Sequence, residues 1–242
     1  MVSPLDRKLA RDLWHMKGQG LAIAVVMGLG VMMQVMMSGL VSSLDETRRG
    51  YYERYRLADA IAPVERAPDN VLHRLVALPG VGSVEGRTSG AALIDLPDRA
   101  VPLQAQALSL PYDGTPRLNA IRLEAGRLFE RGHTDEAVLL DSFAIAHGLR
   151  PGDRLPATMN GARRVFRIVG LARAPEFLYS AAPGEMVPDD SRFGVLWLSP
   201  ETMAAAYDME GAFNQALIGF ARGAREEAVL DAVDRALAPY GS

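Results

Sequence analysis

From Leu21 to Val41 the chain reads LAIAVVMGLGVMMQVMMSGLV, with no charged residue. Wound as an α-helix, that run is about 31 Å long, close to the thickness of a bilayer's hydrocarbon core. The pattern predicts a transmembrane helix over residues 18–42. Gln34 and Ser38 do not interrupt it, because an uncharged polar side chain can bond its own backbone or a neighbouring helix. Two other readings fit less well: buried core helices rarely sustain so long an apolar run, and a signal sequence, cut here at Val41-Ser42-Ser43, has a core of only about 7–15 residues. Ahead of the run, Leu5, Leu9, Leu13 and Trp14 share one helical face with basic residues opposite, which predicts an amphipathic helix over residues 1–17 at the membrane surface. Arg7, Lys8, Arg11 and Lys17 outnumber Asp6 and Asp12 there and favour a cytoplasmic N-terminus, although Arg48, Arg49, Arg54 and Arg56 nearly balance them from the other side. Residues 43–59 are polar and helix-favouring except for Gly50. They read as a stalk, with Tyr51, Tyr52 and Tyr55 at headgroup level or at the base of the globular domain.

From residue 60 onward the apolar runs are short and turn residues frequent. Ala60–Val64 reads as a strand, and Asp69 or Asn70 as the cap of a helix that faces Val71, Leu72, Leu75 and Val76 inward and ends at Pro79-Gly80. Val81–Leu96 reads as one extended strand bent near Ser89-Gly90, and Ala100–Leu110 as another, alternating Val101, Leu103, Ala105 and Ala107. Residues 111–135 are rich in Gly, Pro and charge; they read as a long connection with one short strand near Ile121–Glu124 and as the boundary between two subdomains. Ala137–Leu140 is then a strand, and Ser142–His147 a helix stopped by Gly148. Asn160-Gly161 is the dipeptide a tight hairpin prefers, and it joins strands Asp153–Met159 and Arg163–Leu171. Strand Phe193–Leu198, helix Pro200–Tyr207, strand Asn214–Phe220 and an amphipathic helix Arg225–Leu237 burying Val229, Leu230, Val233 and Leu237 complete the pattern. The fold class is α+β.

Composition narrows the chemistry. About 200 residues outside the anchor suffice for one large or two small cores. Net charge is −3 and the basic residues are scattered, which argues against nucleic acid as a partner. With no cysteine, there is no disulfide, thiolate catalysis or thiolate metal site. His15, His73, His133 and His147 form no metal-binding pair. Ser142 follows Asp141 at a strand-to-helix junction but lacks the glycines of a nucleophile elbow, so capping explains it better. Asp189-Asp190 reads as a solvated turn before it reads as a cation site. There is no phosphate-binding loop, so the chain carries no ATPase site of its own. Within the apolar run, Ala24 and Gly28 are small residues at i and i+4 beside Met32, Met33, Met36 and Met37. Small residues let a second helix approach closely and flexible methionines fill an interface that shifts, so Ala24, Gly28, Met32 and Met36 are the candidate helix interface; a lipid-facing role for the methionines is the alternative.

Several phrases, taken in order, resemble the N-terminal half of an FtsX-like ABC transporter permease, the family of MacB and the lipoprotein-releasing permeases. LDRKLARDLWHMKGQGLAIAVVMGLGV resembles the entry into its first membrane helix, and Leu78-Pro79-Gly80-Val81 its helix-to-strand turn. Gly126-Arg127-Leu128-Phe129, Asp135-Glu136-Ala137-Val138-Leu139-Leu140, Ala146-His147-Gly148-Leu149, Gly152-Asp153 and Phe166-Arg167-Ile168-Val169-Gly170-Leu171 resemble the MacB-type periplasmic core. The resemblance implies such a core over residues 60–238, made of a porter-like βαβ subdomain and a strand-rich subdomain. It implies a mechanotransmission subunit and not an enzyme, with no cofactor, in which a separate cytoplasmic ABC ATPase subunit drives a permease homodimer or heterodimer. It also implies residence in the inner (plasma) membrane, the N-terminus in the cytoplasm and the main domain outside among membrane lipid and a periplasmic partner protein. Permeases of this kind carry three further membrane helices after the core, whereas these 242 residues hold one apolar run. A single-pass sensor or adaptor with an extracytoplasmic binding domain is the alternative, and a membrane-tethered hydrolase a more remote one.

Overall fold

The computed structural model describes residues 17–97, 99–112, 116–177 and 191–241. The expected surface helix before Lys17, the Asp189-Asp190 turn and the side chains of the stalk tyrosines lie outside the described residues. Helix α1 (Lys17–Tyr55) runs 39 residues without a break, about 58 Å at helical rise. Gly50 lies inside it, so the expected span and stalk are one continuous element. Its segment Lys17–Leu40 has a mean hydropathy of 2.1 and is long and apolar enough to cross a membrane. Ser38 donates to the carbonyl of Gln34 at 2.8 Å, which hides its hydroxyl from an apolar environment.

The rest is built on two sheets with separate cores. The smaller contains β1 (Ala60–Pro68), β2 (Val81–Arg87) and β10 (Ala212–Phe220), with β10 in the middle and antiparallel to both. Helices α2 (Asn70–Val76) and α5 (Glu226–Leu237) cover one face, burying Val71, Leu75, Val229, Val233 and Leu237 against Val64, Val84, Phe213 and Ile218. The βαβ pattern is therefore split: the strand between β1 and β2 comes from the far end of the chain. Pro63 and Pro68 sit on edge strand β1, where the missing N–H costs no ladder bond. The segment around Val76 ends the short α2 in the open, so Val76 is exposed, and Leu230 is half-buried. Asp69 precedes α2 without its side chain bonding the helix.

The larger sheet contains β3 (Ser89–Ile94), β4 (Leu103–Ser109), β5 (Arg122–Gly126), β6 (Glu136–Leu140), β7 (Arg154–Met159), β8 (Ala162–Arg173) and β9 (Phe193–Leu198). It closes on itself. Strand β8 is 12 residues long and pairs with β7 through its first half, with β5 through its second half on that same edge, and with β6 on the other edge. The ring β8–β6–β9–β4–β3–β7–β8 is a six-stranded barrel, with β5 appended. Closure leaves no free edge around the ring and surrounds a core of Trp197, Phe166, Ile94, Leu155, Met159 and Ile168. Every residue of β9 is buried. Helix α3 (Asp141–His147) contributes Phe143 to this core and stops at Gly148, and α4 (Pro200–Tyr207) contributes Met203. The hairpin between β7 and β8 turns on Asn160 and Gly161, at φ 46° and 77°. A two-residue turn with both φ values positive matches the right-handed twist of its strands, and Asn-Gly adopts it at least cost.

Three expectations change. Val81–Leu96 is not one bent strand: it breaks at Thr88, and its halves enter different sheets. Thr88 is buried, with its N–H on the Ser109 hydroxyl at 2.9 Å and its carbonyl taking the Ser109 N–H at 2.9 Å. Residues 111–135 run from β4 through β5 to β6 within the larger sheet, so the chain does not change sheets there. It crosses at Thr88 and returns between α4 and β10. The alternation seen from Ala100 also misled at its start, since Val101 is exposed and β4 begins at Leu103.

Glu136, at the start of β6, carries the pH dependence most directly. Arg127 forks onto it, Nη1 to Oε2 at 2.9 Å and Nη2 to Oε1 at 2.5 Å, and the Glu130 N–H adds a third bond. The Arg127 guanidinium holds the carboxyl below its ordinary value of 4.5 against the opposing effect of burial. A lowered carboxylate pKa stabilises the fold above the unfolded value, and that stabilisation disappears as pH falls through the folded value. Urea titrations below about pH 4.5 will therefore show Glu136→Gln losing less stability with acid than the wild type, from a lower starting point at neutral pH.

Candidate functional site

The residues that join helix, small sheet and barrel meet at the segment preceding β5. Arg56, at φ 48°, ends α1 in a left-handed turn, and its carbonyl takes the N–H of Asn119 at 2.9 Å. The Asn119 side chain returns the bond, its Oδ1 accepting the Ala58 N–H at 2.7 Å. Its Nδ2 donates to Oε2 of Glu176 at 2.7 Å. Glu176 lies in the 3₁₀ turn Pro175–Phe177 just past β8, and so reports for the barrel. Asn119 is itself buried and left-handed, at φ 52°, a conformation asparagine tolerates better than most residues. Both polar atoms of its side chain are thus used to tie the exit of α1 to the barrel.

Arg87, the last residue of β2, closes the connection to the small sheet. Its Nη1 and Nη2 donate to Glu176 at 2.7 and 2.8 Å, and its Nε to the Gln215 side-chain oxygen on β10 at 2.5 Å. The Arg87 and Glu176 side chains are 9% and 8% exposed, which makes this a buried, doubly bonded ion pair. Beside it, the Leu118 N–H donates to Glu85 at 3.0 Å, and burial raises the Glu85 carboxyl above its ordinary value although the Leu118 and Arg117 N–H groups and the charges of Arg87 and Arg117 pull the other way. Asp59 holds the Phe220 N–H at 2.6 Å, and Asn214 exchanges two 2.7 Å bonds with Ser89 across the first crossing between sheets. A displacement of residues 56–59 therefore loads both sheets through directed bonds.

Of the residues singled out by sequence, Ala24, Gly28, Met32 and Met36 fall at four-residue spacing on α1, and so along one side of it. Met32 and Met36 are exposed, and nothing lies within 4 Å of the position a Gly28 Cβ would take. Ser142 sits in the first turn of α3, where Asp141 is held by Arg173 at 2.6 Å. His147 Nε2 lies 2.8 Å from the Ser191 carbonyl, and among the described residues no group of His, Asp and Glu is placed to hold a metal ion. Sequence reading passed over Arg87, Asn119 and Glu176. The available signal was charge inside a strand: Glu85 and Arg87 alternate within β2, and a charge on a half-buried face needs a partner.

No family model and no curated protein matches the sequence. The solved structures to which the chain is similar include three. The periplasmic region of MacB from Actinobacillus actinomycetemcomitans is 14% identical, with a TM-score of 0.41 over 69% of this chain and 73% of that one. The extracellular domain of the noncanonic ABC-type transporter YknZ from Gram-positive bacteria is 10% identical, with a TM-score of 0.45 over 76% and 90%. A domain of a permease protein from Porphyromonas gingivalis is 14% identical, with a TM-score of 0.43 over 74% and 78%.

Proposed function

We propose that this chain is the membrane-anchored part of an ABC transporter permease, passing motion from a separate cytoplasmic ATPase to a domain outside the membrane. The observation that carries this reading is the unbroken helix from the apolar span to Tyr55, followed at once by the Arg56–Asn119–Glu176–Arg87 bonds. A tether that only attaches a domain needs no helical continuation and no buried joint. A lever needs both. The ordered sequence phrases support the same reading, and the phrase residues Gly126, Gly148 and Gly152 all occupy turns or strand ends at positive φ. In this reading the N-terminus is cytoplasmic and α1 packs through Ala24, Gly28, Met32 and Met36 against another permease helix. Copurification of the natural gene product in mild detergent with a cytoplasmic ABC ATPase supports it; isolation without any ATPase counts against it and in favour of a sensor or adaptor.

The helix interface has its own test. Because the chain has no cysteine, single introduced cysteines report without background. In membranes treated with an oxidant, Gly28→Cys will cross-link to a second copy, or to a partner helix carrying a matched cysteine, and Val26→Cys, on the opposite side of the helix, will not. Equal cross-linking at both positions would show that no preferred face exists.

A further inference from the structure

Two carboxylates lie near one guanidinium at the joint, and only one of them is bonded to it. Arg87 gives Nη1 and Nη2 to Glu176 and Nε to Gln215, and none of these bonds reaches Glu85, two residues earlier on the same face of β2. Glu85 is held instead by the chain before β5, its Oε2 accepting the Leu118 N–H at 3.0 Å. Leu118 is buried and lies against β10 of the small sheet, 3.2 Å from where a Gly219 Cβ would stand. The next residue is Asn119, which ties the exit of α1 to the barrel. The bond from Leu118 to Glu85 thus fastens that same segment to the small sheet.

The charged groups around Glu85 are Arg87 on its own strand, the exposed Arg117 beside Leu118, Glu176 bonded to Arg87, and Asp69, Glu201 and Glu210, which line the same cleft as Glu85. Arg87 is already neutralised by Glu176, so an ionised Glu85 is surplus negative charge in a half-buried place. Burial outweighs the N–H bonds and the two cations, and holds the carboxyl above its ordinary value of 4.5. The neutral form keeps the bond to Leu118, because a protonated carboxyl still accepts through its carbonyl oxygen. Lifting residues 117–119 off β2 returns the carboxyl to water, where ionisation costs little. The closed segment therefore holds the proton more tightly than the open one, and by reciprocity the proton favours the closed segment.

The geometry points to a proton-operated latch: protonation of Glu85 locks residues 117–119 onto the small sheet, and its ionisation loosens them. The closing effect is fully present below the ordinary carboxylate value and fades as pH rises through the higher value of the closed segment. The latch rests on these contacts and not on the transport reading, so it stands whether or not an ATPase partner exists.

The test is hydrogen exchange on the full chain in lipid nanodiscs at about pH 5 and about pH 7.5, each amide's rate being divided by that of an unstructured chain at the same pH. Thr88, whose N–H rests on the uncharged Ser109 hydroxyl, is the reference. Protection of the Leu118 amide relative to Thr88 is expected to be roughly fivefold higher at the acid pH, the low end of ordinary coupling between two equilibria. Glu85→Gln, the neutral isostere, will show the acid level of protection at both pH values, and Glu85→Ala, which removes the acceptor, the low level at both. Level or falling protection toward acid in the wild type would overturn the latch. So would low protection in Glu85→Gln, or a wild-type pH response in that variant, which would assign the effect to Glu176 or Asp59.

Discussion

Glu176→Ala will lower the melting temperature of the two-sheet domain by roughly 10 °C, corresponding to about 3–5 kcal/mol for stripping one partner from a buried ion pair. The substitution leaves the Arg87 guanidinium enclosed with only Gln215 to bond, and leaves Nδ2 of Asn119 without an acceptor. Both orphans are costly, and the charged one costs more. Replacing both members, Arg87→Met with Glu176→Met, removes the orphan charge and is expected to recover most of the stability, because a buried ion pair seldom outperforms a well-packed apolar one. The double variant still lacks the bond from Asn119 to the barrel. It therefore separates two roles: differential scanning calorimetry will show a fold near wild type, while amide exchange over residues 56–60 and 117–121 will stay faster than in the wild type. Normal exchange in that variant would mean that the joint is held by other contacts.

Gly126→Ala is the second large effect. Gly126 ends β5 at φ 75°, and a Cβ there would lie 2.2 Å from the Val169 carbonyl oxygen. That oxygen cannot retreat, because it accepts the Arg127 N–H at 2.9 Å within the pairing of β5 with β8. Left-handed strain alone costs about 1–2 kcal/mol for a residue with a Cβ, and displacing a ladder strand adds to it. A loss of at least about 3 kcal/mol in urea unfolding is expected. Gly132→Ala provides the comparison, since Gly132 also has positive φ but nothing within 4 Å of its Cβ position; its loss will be limited to the strain. Equal losses in the two variants would contradict the steric account.

Local elements were legible because local chemistry sets them. The apolar run, the Asn160-Gly161 hairpin, the stop at Gly148 and strand Phe193–Leu198 each carry a nearby signal, either a period or a turn residue. What sequence missed depends on pairing across distance. Barrel closure requires β7 to find β3, more than sixty residues earlier, by the register Ala92 to Met159, and β10 is threaded between β1 and β2 from the far end of the chain. Neither event leaves a mark on local hydropathy. Thr88 illustrates the ambiguity: residues 81–96 contain no helix period and no strong turn signal before Ser89-Gly90, so the pattern predicts one bent strand, while the chain changes sheets at a residue whose backbone is bonded to Ser109. Apart from the charges inside β2, the joint was hidden for a related reason. Arg56, Arg87, Asn119 and Glu176 are ordinary polar residues in separate segments, and only the fold makes them one network. The candidate interface Ala24, Gly28, Met32 and Met36 is a pattern along a single helix, and the cysteine cross-linking experiment is its test.

The central claim is that ATP-driven force enters through α1 and reaches the barrel through Asn119. With no native cysteine to remove, one spin label on α1 at Leu40 and one on the β7–β8 hairpin at Arg163 report the distance between them by pulsed electron resonance. In the natural gene product assembled with its ATPase, that distance distribution is predicted to differ between the nucleotide-free and ATP-bound states, and Asn119→Ala to abolish the difference while the ATPase still hydrolyses. A distribution that ATP leaves unchanged, or a change that survives intact in Asn119→Ala, would contradict the claim.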